Sequence, residues 1–275
     1  MVVTGRRPFF YVYDTVADRV QQIAKIPNRN EKSWERCVVS PYDNDTIALL
    51  GNDGYIILYN IKQQKQCTTQ PIKLNGSVRT VAFNPYNNNT NELLASGSDG
   101  DIYRYDLRYL ANNKCMERFH NDDGTITSQI ATSSQTFAVG AESGVVNIYN
   151  NTTGSNHHEP QSPSLLRGLS AAATPTFPMQ LQQQRKPVKS IMNIKTCIDT
   201  MKYNHDGDLL AISSRFEKDC LKLVHVPTGT VYSNWPTSNT PLGYVFSVDF
   251  SPHSNYMAIG NDQGKCLLYK LVHYE

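Results

Sequence analysis

An all-β fold, a ring of short antiparallel sheets forming a β-propeller, is predicted by three observations. A turn glycine is followed five residues later by a tyrosine at four places: Gly54 and Tyr59, Gly100 and Tyr105, Gly144 and Tyr149, Gly264 and Tyr269. With weaker copies ending at Tyr13 and His225, these anchors lie 46, 46, 44, 76 and 44 residues apart. A period of about 44 residues carrying strand–turn–strand signals is that of a four-stranded propeller blade. Runs such as Tyr55 to Tyr59, YIILY, are apolar on both faces, as a sheet covered on both sides requires.

The clearest copy is Leu93 to Asp106, LLASGSDGDIYRYD. Leu93, Leu94 and Ala95 form a buried run, Ser98-Asp99-Gly100 reverses the chain, and Ile102 to Tyr105 return it in β-branched and aromatic residues. An Asp-Gly pair suits such a turn because both residues tolerate φ > 0.

Taken in order, residues 2–14 read as the two middle strands of a first blade, with Val20 to Ile26 as its outer strand. The second blade starts near Cys37 and holds the hairpin Ile47 to Asn60, with an outer strand near Pro71 to Leu74. The third starts at Val81 and carries an Asn-rich insert, Asn87 to Asn91. The fourth runs from Ile130 to Tyr149. The fifth resumes at Met201 and includes Leu221 to Val226. The sixth starts at Val248 and ends with Leu267-Leu268-Tyr269.

The 76-residue gap holds a Ser-, Pro- and Gln-rich stretch at 151–186. That composition cannot pack a core and predicts a flexible surface loop. The expectation is a WD40-type β-propeller of about five complete blades plus a partial N-terminal blade. It forms one domain over 1–275 and is N-terminally incomplete. The usual pattern has Trp at the anchors and a Gly-His pair before the strands. Tyr or His stands at the anchors here and no Gly-His pair occurs, so the hydrogen-bond network of that pattern is expected to be missing in most blades.

Bulk composition narrows the function classes. Apolar residues are 39% and the net charge is +2 over 275 residues, so no whole-protein field favours nucleic acid. The six cysteines, Cys37, Cys67, Cys115, Cys197, Cys220 and Cys266, show no C-x-x-C spacing, which favours a reducing compartment over a disulfide framework. No apolar run reaches the length of a transmembrane helix, and MVVTGRRPFF has no signal-peptide core. No membrane partner is expected.

No nucleotide-binding, zinc-protease or serine-hydrolase motif occurs. His157-His158-Glu159 is the nearest approach to a metal set, and it sits alone in the Ser/Pro/Gln-rich stretch. No catalytic residue, cofactor, metal or small-molecule substrate is therefore expected. Charge placement says more. Between 160 and 198 there is no Asp or Glu, while Arg167, Arg185, Lys186, Lys189 and Lys195 all occur. Between 54 and 91 the same holds, with Lys62, Lys65, Lys73 and Arg79. Such stretches are either solvated basic loops or contacts for RNA phosphates or an acidic protein. No interleaved aromatic platform supports base-specific reading.

Three stretches carry a resemblance: PVKSIMNIKTCIDTMKYNHDGDLLAISSR from Pro187, LKLVHVPTGTVYSNWPTSNTPLG from Leu221 and FSVDFSPHSNYMAIGNDQGKCLLYKLVHY from Phe246. They resemble the C-terminal propeller of the U3 small nucleolar RNA-associated protein 18 family. GVVNIYN from Gly144 and ALLGNDGYIILYNIK from Ala48 fit it too. The resemblance implies a seven-bladed fold and a non-catalytic nucleolar scaffold of the small-subunit processome. Its work would be 18S rRNA processing, through sister propeller proteins and pre-rRNA or U3 snoRNA. The family's N-terminal helicase-recruiting motif has no counterpart here, and the 151–186 stretch is longer than the family's connection. Two rivals stand beside this reading: a generic WD-repeat adaptor taking a peptide on its top face, and a propeller hydrolase with metal ligands around its axis.

Overall fold

The structure, a computed structural model, describes the chain except residues 24–25, 27–30, 35, 44, 69, 86–91, 109–114, 152–184, 238 and 273–275. The described residues form six antiparallel sheets in chain order. The first holds β1 (Val2–Val3), β2 (Phe10–Asp14) and β3 (Arg19–Ile23). The second holds β4 (Cys37–Val39), β5 (Thr46–Leu50) and β6 (Tyr55–Asn60), then two short outer strands, β7 (Lys65–Gln66) and β8 (Ile72–Lys73). The third runs β9 (Val78–Asn84), β10 (Glu92–Gly97), β11 (Asp101–Asp106), β12 (Cys115–His120). The fourth runs β13 (Thr127–Thr132), β14 (Thr136–Ala141), β15 (Val146–Asn150), β16 (Lys189–Ile191). The fifth runs β17 (Thr200–Tyr203), β18 (Leu209–Ser213), β19 (Leu221–His225), β20 (Thr230–Val231). The sixth holds β21 (Val245–Phe250), β22 (Tyr256–Asn261) and β23 (Cys266–Lys270).

This is a β-propeller of six blades. The first blade is partial, as expected, with three strands; the expected tally of five complete blades is corrected to four, because the sixth sheet pairs nothing beyond β23 among the described residues. All six anchors fall on equivalent strands, Tyr13 on β2, Tyr59 on β6, Tyr105 on β11, Tyr149 on β15, His225 on β19 and Tyr269 on β23. The turn glycines before them do what the sequence required. Gly100 has φ 84° and Gly144 φ 89°, left-handed backbone that a side chain would strain.

Successive sheets stack face to face, and each junction is apolar. Leu58, Ile72, Val81, Leu93 and Tyr105 fill the space between the second and third sheets. Ile102, Phe119, Phe137 and Tyr149 fill the next. Residues such as Ile47, Leu93 and Leu210 are fully buried, each contributing about 1.5–3 kcal/mol relative to exposure. The Tyr anchors pack here rather than at a surface: Tyr59, Tyr105 and Tyr149 are all buried. Tyr149 also has a polar partner. Its hydroxyl donates to Asn121 Oδ1 at 2.9 Å, which accepts from Asn147 Nδ2 at 3.0 Å as well. The fourth sheet therefore ties its incoming connection to its third strand with Tyr and Asn in place of Trp and His. The outward faces of the two end sheets keep apolar residues in solvent, Val20 and Leu268 both at 66%.

Candidate functional site

An antiparallel sheet that meanders from inner to outer strand sends its connections alternately to two opposite faces. The hairpins at Gly54, Gly100 and Gly144 share one face with the segments that enter each inner strand; this is the turn face. A cleft of about 710 Å³ opens there. Its walls come from Glu31, Lys32, Ser33 and Arg36, the hairpin at 51–55 and the start of β9 at 77–79.

Each wall is held from behind. Trp34 is buried; its backbone N–H donates to the Gly5 carbonyl at 3.1 Å and its indole N–H to the Pro8 carbonyl at 3.2 Å. The Glu31 carboxylate accepts the Asn52 backbone N–H at 2.7 Å. It fits against Gly51, where a Cβ would come within 3.1 Å of the Glu31 carboxyl carbon. Arg36 donates from Nη1 to the Arg79 carbonyl at 2.9 Å. The Lys73 ammonium donates to the Asp53 carbonyl and lies 4.1 Å from the centre of the Tyr55 ring. Arg79 faces Glu142 at 3.7 Å, with both side chains nearly half exposed, a geometry that contributes well under 1 kcal/mol. Lys32, Arg36 and Arg79 thus stand against Glu31 and Asp53, and the cleft carries an excess of positive charge.

The sequence-predicted basic residues do not gather in one patch. Lys62 and Lys65 flank the turn after β6 on the opposite face, where Lys62 pairs with Asp45 at 2.6 Å. Lys186 and Lys189 are exposed at the same end of the fourth sheet, two sheets away. Lys195 is exposed in the connection after β16, on the turn face. Arg167 lies outside the described residues, as does the His157-His158-Glu159 set. The 151–186 stretch is described only at its two roots.

Arg185 corrects the sequence reading. It is not a solvated loop cation: its side chain is 11% exposed and its Nη1 reaches both Glu117 carboxylate oxygens, at 2.8 and 3.0 Å. The guanidinium lies over the rings of Phe137 and Phe119, at 5.2 and 5.7 Å from their centres. Desolvation pulls its pKa below the usual arginine range; Glu117 opposes that pull and nearby Arg104 adds to it. Arg104 is itself fully buried. Its Nε and Nη2 donate to Glu92 Oε2 at 2.8 and 2.6 Å, and Nη1 stands 3.5 Å from Glu117. Two guanidinium groups and two carboxylates therefore neutralise one another between the third and fourth sheets. Sequence reasoning missed this cluster. The available signal was Arg104 itself, a charge in mid-strand between two tyrosines.

No group of three or more His, Cys, Asp or Glu side chains among the described residues is placed to hold a metal ion. The six cysteines are unpaired. No helix among the described residues is long and apolar enough to cross a membrane.

Comparison with known proteins adds three findings. The family model for "WD domain, G-beta repeat" matches residues 65–106. In fold, the chain is similar to one in the crystal structure of the mitotic checkpoint complex, with a TM-score of 0.69 at 14% identity, over 98% of this chain and 72% of that one. In sequence, it is 39% identical to the U3 small nucleolar RNA-associated protein 18 homolog of Arabidopsis thaliana, over 100% of this chain and 44% of the relative. The Homo sapiens homolog is 32% identical over 96% of this chain and 42% of its own length. The Saccharomyces cerevisiae protein is 30% identical over 92% of this chain and 40% of its own. The chain thus spans about two fifths of the length of these relatives.

Proposed function

The chain is homologous along its whole length to the U3 small nucleolar RNA-associated protein 18 family, and on that premise we propose that it is a non-catalytic scaffold of the small-subunit processome. In this reading it acts in 18S rRNA processing and ribosome biogenesis in the nucleolus, binding other WD-repeat processome proteins and pre-rRNA or U3 snoRNA. The observation that carries the reading is the alignment of the complete chain at 39% identity with a relative named for U3 small nucleolar RNA. The propeller supports it, since a rigid ring of sheets presents loops and edges to several partners at once.

The RNA side of the proposal rests on the face opposite the cleft. Lys62 and Lys65 on the second sheet and Lys186 and Lys189 on the fourth are exposed there, as cations that track a phosphate backbone must be. Arg167 is kept as a candidate from the sequence, Lys195 is assigned to the other face, and Arg185 is withdrawn.

The test is affinity purification of the tagged chain from nucleolar extract, with identification of bound RNA and protein. U3 snoRNA, pre-rRNA and other WD-repeat proteins are expected in the eluate. Their absence from a chain that folds and reaches the nucleolus would overturn the scaffold reading. The quadruple variant K62E/K65E/K186E/K189E is expected to lower U3 recovery at least tenfold and to flatten its salt dependence. Lys195→Glu is expected to leave both unchanged. Equal effects from the two variants would remove the face assignment.

A further inference from the structure

We infer that the cleft on the turn face is a binding site for a short extended peptide with acidic side chains, seated at Arg36 and Arg79. This goes beyond the scaffold reading and does not depend on it, because the proposed RNA lysines lie on the opposite face.

The argument starts with size. At about 710 Å³ the cleft is far larger than a packing defect and within the range of pockets that enclose a ligand. Its shape is also fixed in advance. Buried Trp34 anchors the wall that bears Glu31, Lys32, Ser33 and Arg36 through its indole and backbone N–H groups. The Leu50 backbone N–H donates to the Arg36 carbonyl at 3.1 Å, and the Leu74 N–H to the Gly54 carbonyl at 2.9 Å. A ligand entering such a site has little ordering cost to meet.

Charge then selects the ligand. The Arg36 guanidinium is oriented by its single bond to the Arg79 carbonyl, and its other donors have no partner among the described residues. Among the described residues the Arg79 side chain has only the long, exposed pairing with Glu142, which a ligand carboxylate displaces at little cost. Exposed Lys32 stands on the same wall. Carboxylates match this set well, since a guanidinium fork takes both oxygens of one carboxylate.

Peptide is favoured over RNA for two reasons. The Tyr55 ring carries the Lys73 ammonium over one side at 4.1 Å, so it is not an open platform on which a base could stack. Glu31 and Asp53 also line the cleft. They would repel a phosphate backbone of uniform charge, whereas a peptide can place amides beside them.

The test uses the 275-residue chain and the fluorescein-labelled peptide Gly-Asp-Ser-Gly-Glu-Ser, read by fluorescence anisotropy at low salt. Saturable binding is expected, with Arg36→Glu and Arg79→Glu each raising Kd about tenfold or more. The Asn/Gln twin of the peptide is expected to bind at least tenfold more weakly. Lys32→Glu, at an exposed position, repeats the measurement should either arginine variant fail to fold. Unchanged affinity in the charge-reversal variants would overturn the proposal. So would equal binding of the Asn/Gln twin, or displacement of the peptide by equimolar hexauridylate.

Discussion

Arg185 shows how far a residue's neighbours in sequence can mislead about its neighbours in space. In the chain it lies inside a basic, acid-free stretch and reads as either a solvated cation or a contact for an acidic partner. In the fold its partner is Glu117, 68 positions away on the outer strand of the preceding sheet. Nothing local encodes that meeting, because it depends on two sheets stacking in register. Removing one member of a buried ionic cluster leaves its counter-charge without compensation. Arg104→Met is expected to cost about 3–5 kcal/mol, since Arg104 and Glu92 are almost fully buried. Arg185→Met keeps the aliphatic stem over Phe137 but takes from Glu117, which is 19% exposed, its nearer cation and leaves it only Arg104 at 3.5 Å; about 1–2 kcal/mol is expected once that remaining partner and partial solvation are counted. Urea denaturation of both variants and of Arg185→Met/Glu117→Gln checks this, the double variant recovering part of the loss.

Burial also sets the alkaline limit of the fold. It pushes the Cys220 thiol up to about 11 and the Tyr149 phenol up to about 12. Both pKa values are raised on folding, so the neutral forms are the ones the native state favours. Their contribution is complete below the unfolded values of 9.0 and 10.0 and is lost as pH climbs toward about 11 and 12. The urea midpoint is expected to hold steady from neutral pH to about pH 9 and then fall. A midpoint flat up to pH 11 would contradict this account.

At the scale of the element, the anchor-bearing strand, third in every sheet but the first, was the legible one. Its turn, its β-branched run and its Tyr anchor lie within a dozen residues, so local chemistry specifies it. The outer strands were harder. β8 and β20 are two residues each, and the second sheet divides its outer edge between β7 and β8, too little for a periodic signal. The tally of complete blades went wrong at such an edge. The turns themselves allow a graded test. Gly144 has φ 89°, and a Cβ there would run into the Ile194 carbonyl. Gly264 has φ 71° with nothing within 4 Å of the same added atom. Gly144→Ala is expected to cost about 2–3 kcal/mol, strain and clash together, and Gly264→Ala about 1 kcal/mol, strain alone. Thermal melts of the two variants should separate clearly. Equal shifts would mean that the Ile194 backbone yields.

For the whole molecule, the propeller class was readable from spacing alone, because a ring of like sheets writes one period along the chain. The cleft was not. Its walls come from three separate segments, and Glu31 and Arg36 carry no motif that marks them. The interruption between β15 and β16 was visible as composition, but its two ends meet for reasons only the fold supplies. The Arg185 guanidinium donates to the Asn150 carbonyl, Arg104 to the Asn151 carbonyl at 3.2 Å, and the Val188 N–H to the Ile148 carbonyl at 2.7 Å. Replacing residues 154–182 by a short Gly-Ser linker is therefore expected to leave the circular dichroism spectrum unchanged. The Tm should move by no more than about 2 °C, the low end of the shift that 1 kcal/mol produces in a domain of this size. A cooperative transition lost on excision would refute this.

Those clamped roots have a practical meaning for anyone who wants to watch the protein at work. Two points of the chain fastened side by side on the body, Asn151 and Arg185, make a natural socket. A fluorescent reporter or a purification handle spliced between Asn151 and Arg185 would hang from the ring without prying its vanes apart. The charged cleft on the other side would stay open to be probed.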